Sequence, residues 1–115
     1  LGGFRSSYFM YFEDADLCAR LLERRESLWL VPKSVVYHRG GGAGGGIWSP
    51  FGAFHYARNR VWFARAHGWP FFSALSTIAV HLGWSLRQQV ICRREIPWRS
   101  VVRGVLRGVS TSLES

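Results

Sequence analysis

Apolar and polar positions change rhythm several times along this chain. Tyr8-Phe9-Met10-Tyr11-Phe12 is aromatic with no polar alternation, which predicts a buried strand or extended segment. From Asp14 the spacing turns helical. Leu17, Leu21 and Leu22 recur at i, i+4 and i+5, Asp14 is a good N-cap residue, and Arg24 and Arg25 suit a last turn, so a helix is expected over 14–26. Leu28-Trp29-Leu30-Val31 then reads as a strand stopped by Pro32, and Ser34-Val35-Val36-Tyr37-His38 as a second short strand. Six glycines within residues 40–46 hold neither helix nor strand against their backbone entropy. That run lacks the Lys-Ser/Thr ending of a phosphate-binding P-loop and the spacing of a dinucleotide fingerprint, which favours a flexible connector.

Helical spacing returns after the glycines. Phe54, Val61, Trp62 and Ala66 lie on a helix expected from Phe51 to His67 and stopped at Gly68, with Arg58, Arg60 and Arg65 between them. An uncharged stretch from Pro70 to Leu86 carries Ser73, Thr77, His81 and Ser85 as a narrow polar stripe on an otherwise apolar helix. It is at the short end for crossing a bilayer, and the stripe and Gly83 favour an interfacial or protein-packed helix over a spanning one. After Pro97, Arg99, Arg103 and Arg107 form one stripe and Val102, Leu106 and Val109 another. This is a basic amphipathic helix, weakened by Gly104 and Gly108.

Charge sharpens the division. The 115 residues carry a formal net charge of +8. Residues 1–38 hold five acids and five bases, whereas residues 39–115 hold two acids and ten arginines. Such a surface calls for an anionic partner: a phosphate-bearing ligand, a nucleic acid or an acidic membrane face. An apolar content of 48% excludes a disordered polar tail. Two cysteines, Cys18 and Cys92, exclude a disulfide-rich scaffold and read as reduced, cytosolic thiols. Leu1 is not a start methionine and no signal peptide is visible, so a segment of a longer protein is expected.

The densest chemical cluster is Glu13-Asp14-x-Asp16, where the aromatic run meets the helix. Three carboxylates so close repel one another, and such junctions border active sites in α/β folds. Acidic residues also favour helix N-termini, and Asp16 with Arg20 is an ordinary i, i+4 pair, so spacing alone leaves a functional and a structural role equally open. His38 ends the second expected strand, where ligands gather in open α/β sheets, although a lone histidine is more often structural. His55, His67 and His81 have no partner at metal-ligand spacing and read as surface or packing residues.

Taken in order, Gly2-Gly3-Phe4, the block Phe9-Met10-Tyr11-Phe12-Glu13-Asp14-Ala15-Asp16-Leu17-Cys18-Ala19-Arg20, Val31-Pro32, Val35-Val36-Tyr37-His38 and Arg58-Asn59-Arg60 resemble the C-terminal half of family 2 inverting glycosyltransferases. The likeness is to the bacterial rhamnosyltransferase-like branch that extends cell-surface polysaccharides. It covers residues 1 to about 67; residues 68–115 agree only in character.

That resemblance implies an α/β fold, the partial nucleotide-sugar-binding sandwich of the glycosyltransferase A type, followed by C-terminal amphipathic helices. Residues 1–67 would be the C-terminal portion of the catalytic domain and 68–115 a basic, membrane-associating tail. Asp14 would be the general base, Glu13 would hold the acceptor, and His38 would complete the shell of a divalent metal, Mg or Mn, beside the donor diphosphate. Asp16 and Arg20 would hold the helix start. The implied partners are a nucleotide-sugar donor, a glycan or lipid-linked acceptor and an anionic membrane surface, with no nucleic acid, at the cytoplasmic face of a bacterial plasma membrane. Arg5-Ser6 stands where the family usually has Asp-Glu, the usual glycine near Glu26-Ser27 is replaced, and no Asp-x-Asp precedes the Glu-Asp pair. A rival expectation is a non-enzymatic basic aromatic module that binds anionic membrane or nucleic acid through the arginines and tryptophans of the second part.

Overall fold

A computed structural model of the chain describes residues 1–38, 45–68, 72–93 and 95–113. Most of the glycine run, Trp69, Pro70 and the side chains of Ser73, Thr77, His81 and Ser85 lie outside the described residues. A 3₁₀ turn over Ser6–Tyr8 is followed by four helices: α1 Glu13–Glu23, α2 Pro50–Ala66, α3 Phe72–Cys92 and α4 Trp98–Ser110.

Helix boundaries follow local chemistry. At the start of α2 the Ser49 hydroxyl accepts from the Gly52 amide at 2.9 Å and Pro50 occupies the first turn, where no amide is missed. Its end is Gly68, at φ +73. Helix α1 starts one residue before Asp14 and stops three residues short of the expected end. It closes with paired bonds from Arg25 N to Leu22 O at 2.9 Å and from Glu26 N to Leu21 O at 3.0 Å, with Arg25 at φ 60 in the left-handed position that glycine usually fills.

Residues 8–12 are not a strand. Phe9, Tyr11 and Phe12 sit at φ 63, 63 and 70, and Met10 N donates to Tyr8 O at 2.7 Å across a tight turn centred on Phe9. Repeated left-handed residues coil the chain and destroy the alternation a ladder needs. The expected strands 28–31 and 34–38 are unpaired, and no strand occurs among the described residues. A turn from Val31 O to Ser34 N, 3.0 Å, joins them with Pro32 at its corner, a geometry that splays flanking strands. Trp29, Leu30, Val36 and Tyr37 in this arm are all more than 80% exposed.

The core lies between α2 and α4: Ala53, Ala57 and Val61 from one, Val101 and Val105 from the other. Packing therefore crosses the change of composition at residues 67 and 68. Small residues set the spacing. A Cβ on Gly104 would stand 2.4 Å from Phe54 O, and one on Gly108 2.8 Å from Arg58 O. The two glycines that weaken α4 as an isolated helix are what let it approach the backbone of α2. The far end is tied by Arg65, whose guanidinium donates to Gly108 O and Thr111 O, each at 2.8 Å, and by the Trp62 indole, which donates to Thr111 O at 3.1 Å.

Turning α4 about 100° per residue separates three faces. Val101, Gly104, Val105 and Gly108 meet α2; Val102, Leu106 and Val109 remain more than half exposed; Arg99, Arg103 and Arg107 lie exposed beyond them. The apolar stripe read from the sequence is thus not the face that α2 covers.

Glycine contacts make opposite forecasts for two alanine substitutions. Gly104→Ala should destabilise the fold by about 1–3 kcal/mol through overpacking, despite its better helix propensity. Gly83→Ala on α3, where an added Cβ meets nothing within 4 Å, should add up to about 1 kcal/mol of helix stability. Urea unfolding followed by circular dichroism measures both, and a neutral Gly104→Ala would contradict the close crossing.

Candidate functional site

The first 23 residues are wound onto α2 by side chains that α2 presents. Asn59 is fully buried and its amide nitrogen donates toward Tyr8 O at 2.8 Å, Met10 O at 2.6 Å and Tyr11 O at 3.0 Å. Arg58 holds the amide's orientation, donating through Nε to Asn59 Oδ1 at 2.9 Å, and reaches Ser7 O and Tyr8 O through Nη2, each at 3.2 Å. Its guanidinium lies 4.2 Å over the Trp62 ring. Burial, with the Arg107 charge second, lowers the Arg58 pKa from its ordinary value. Three left-handed residues are costly for non-glycine side chains, and this set of donors is what holds them.

That coil delivers the chain into α1 at Phe12, itself left-handed at φ 70, and so sets where the three carboxylates fall. Asp16 turns inward and is fully buried. Its carboxylate accepts from Arg20 Nε at 2.8 Å, Arg5 Nη1 at 3.0 Å and the Tyr8 hydroxyl at 3.4 Å, and pairs with His67 Nε2 at 3.1 Å. The other ring nitrogen of His67 meets Glu23, so one imidazole pins both ends of α1 to the end of α2. Burial first, then the Asp16 charge, raises the Tyr8 hydroxyl well above its ordinary pKa and keeps it a donor. Arg20 also donates to Gly3 O at 2.6 Å, which ties down the N-terminal segment.

Asp14 faces the other way, and Glu13 stands between the two. Asp14 is exposed and its carboxylate accepts the Ala15 amide at 2.7 Å. The Glu13 side chain has one oxygen, Oε2, that is enclosed yet has no hydrogen-bond partner. Both line one open groove together with Phe4, Arg5, Ser6 and Phe9. Carboxylates bordering a groove are acceptors for a hydroxyl of a molecule bound there. Tyr11 stands near enough that burial, and after it the Glu13 charge, raises its pKa.

His38 is exposed at the end of the unpaired arm and is not part of the described lining of that groove. Among the described residues no three His, Cys, Asp or Glu side chains converge as a metal site. Cys18 and Cys92 are free and exposed.

Sequence reasoning missed the centre of this arrangement. Asn59 appeared within a matching motif but without a task, and His67 read as surface or packing although its side chain is 8% exposed and bonded on both nitrogens. Their partners lie more than 40 residues away in sequence, which no local spacing reveals.

Two substitutions should separate the carboxylates. Asp16→Ala removes the acceptor that Arg5, Arg20, His67 and Tyr8 share and should cost about 3–5 kcal/mol, whereas Asp14→Ala, on the surface, should stay within about 0.5 kcal/mol. Asn59→Asp, which keeps the shape but loses the donors, should cost about 2–6 kcal/mol, since Met10 O and Tyr11 O are left unpaired at about 1–3 each while Tyr8 O keeps Met10 N and Arg58. Chemical denaturation with the aromatic circular dichroism signal as readout tests all three.

His55 gives a pH forecast. Its ring packs against Phe51 and Phe9 at centroid distances of 4.5 and 5.4 Å, its Nδ1 is enclosed without a hydrogen-bond partner, and burial, then the Arg58 charge, lowers its pKa. The unfolded chain then binds a proton first as pH falls. This contribution is intact above the unfolded value of about 6.5 and is lost as pH falls from there toward the folded value. Stability measured from pH 7.5 to 5 should decline less in His55→Phe than in the parent protein.

Comparison of the chain with protein-family models, with curated proteins and with solved structures finds no match in any of the three.

Proposed function

We propose that this chain is the acceptor-side, catalytic-base portion of an inverting glycosyltransferase. It would move a sugar from a nucleotide sugar to a hydroxyl of a cell-surface glycan or lipid-linked acceptor. One observation carries the reading: of three clustered carboxylates, Asp16 is consumed by structural donors, while Glu13 and Asp14 share an open groove. The aromatic and Glu-Asp-x-Asp residues resembling family 2 support the same reaction class.

In this reading Glu13 accepts a hydrogen bond from the acceptor sugar and orients it. Asp14 takes the proton of the attacking hydroxyl as its oxygen bonds to the anomeric carbon, and the bond from that carbon to the nucleoside diphosphate breaks on the opposite face. Asp14 is accessible for this because Asp16 carries the helix-anchoring role. A divalent ion would supply charge neutralisation at the diphosphate. His38 is the proposed ligand from this segment, and the remaining ligands, the donor pocket and the rest of the α/β sandwich belong to sequence outside these 115 residues.

Attachment to the cytoplasmic face of a bacterial membrane belongs to the same proposal. No helix among the described residues is long and apolar enough to cross a bilayer. Val102, Leu106 and Val109 lie exposed beside Arg99, Arg103 and Arg107, the arrangement of a helix lying at an anionic surface. The same face is what the non-enzymatic reading would use, and the Glu13–Asp14 groove is what distinguishes the two.

Kinetics on the complete enzyme test the chemistry. Asp14→Asn should lower kcat by about 10²–10⁴ with donor affinity nearly unchanged. Unaltered turnover would rule Asp14 out as the base. Vesicle flotation tests the surface: at about 1 kcal/mol per arginine, changing Arg99, Arg103 and Arg107 to Gln should weaken binding to anionic vesicles by about two orders of magnitude. Equal binding to neutral vesicles would remove the electrostatic part.

A further inference from the structure

Where α2, α3 and α4 meet, an apolar cavity of about 200 Å³ is lined by Trp48, Tyr56, Val80, Trp84, Ile96 and Val101 among others. Among these six the polar side-chain groups are the Tyr56 hydroxyl and the two indole N–H groups, with no charged group. Such a wall disfavours a sugar, nucleotide or other polar ligand, which would need several placed donors and acceptors. A dry apolar cavity of roughly 150 Å³ already takes benzene. This one has room for a segment of an alkyl chain.

The surroundings indicate what the chain is attached to. Trp48 and Trp84 stack with ring centroids 6.2 Å apart and planes 17° from parallel, an aromatic pair bordering the cavity. Trp84 is half exposed, so the cavity opens toward the surface of α3. The Arg87 guanidinium lies 6.0 Å from the Trp84 ring centre, which places a cation at that opening. Ile91, two turns on from Trp84 and on the same face of α3, continues an exposed apolar surface from that opening. An apolar slot, an indole rim and a cation in succession repeat the order of an anionic lipid: chain, interface, charged head.

We propose that this cavity takes one hydrocarbon chain of an anionic lipid, with its phosphate-bearing head against Arg87. The inference rests on the membrane-contact part of the proposed function and adds a specific site to it. The arginine stripe of α4 attracts the protein to the surface, and the cavity then holds a single lipid by its chain. Arg87 rather than a neutral group at the opening is what selects an anionic head.

The test uses the whole 115-residue protein and a lysophosphatidylglycerol with a brominated chain, kept below its micelle concentration. Saturable one-to-one quenching of tryptophan fluorescence is expected. Filling the cavity with Val80→Phe, or independently with Ile96→Trp, should weaken that binding at least about tenfold, with unchanged helical circular dichroism as the check on folding. Arg87→Gln should weaken the lysophosphatidylglycerol several-fold and leave a monoacylglycerol of the same chain unaffected. The proposal is overturned by the absence of saturation or by unchanged binding in both filled variants. It is equally overturned by a lipid-independent dimer in sedimentation that Val80→Phe abolishes, which would assign the cavity to a second copy. Changing Arg99, Arg103 and Arg107 to Gln should weaken flotation by about two orders of magnitude yet preserve uptake of the monomeric lipid. Flotation without uptake therefore removes the cavity site alone, and uptake without flotation removes the surface reading.

Discussion

An amide nitrogen has two hydrogens, and the one on Asn59 faces three carbonyls from the same short stretch of chain. Everything upstream of α1 depends on that convergence. Left-handed conformations at Phe9, Tyr11 and Phe12 are unfavourable for bulky side chains and have no ladder to compensate them. A buried donor that every one of these turns must reach makes the coil the best available state. Arg58, sandwiched against Trp62, keeps the amide from turning over. Asn59 can do this only because α2 is itself immobilised by the close approach of α4 through Gly104 and Gly108.

The same coil decides the fate of three carboxylates that look alike in sequence. By entering α1 through Phe12 it rotates Asp16 into the space between Arg5, Tyr8, Arg20 and His67, where each donor offsets part of the desolvation of a buried charge. A helix turns about 200° over two residues, so Asp14 is carried away from that space to the exposed side. A buried anchoring carboxylate and an exposed one are thereby separated within one helical turn. Glu13 ends between the two regimes, with an enclosed oxygen that still lacks a donor.

On the opposite side, apolar surface outnumbers what α2 can cover. Helix α4 buries one of its two apolar stripes and leaves the other beside its arginines, while α3 keeps Leu82, Leu86, Val90 and Ile91 exposed. Exposed apolar surface of this extent marks a contact with something other than water. Its pairing with cations gives the proposed lipid contact its sign and its dependence on salt.

The sequence by itself determined the helices and several of their stops, because proline position and apolar spacing act over one or two turns: Gly68 closes α2 and Pro97 precedes α4. It also marked Glu13, Asp14 and Asp16 as a cluster and Asp16 with Arg20 as a helical pair. Only the tertiary structure decided that Tyr8 to Phe12 is a coil, since aromatic density signals burial and says nothing of handedness. Only it decided which stripe of α4 is covered, because Gly104 and Gly108 add no hydrophobicity and act through the space they leave. The roles of Asn59 and His67 were invisible for the same reason. A hydrogen bond to a carbonyl some 50 residues away depends on where two helices cross, and that crossing is set by packing rather than by any local pattern.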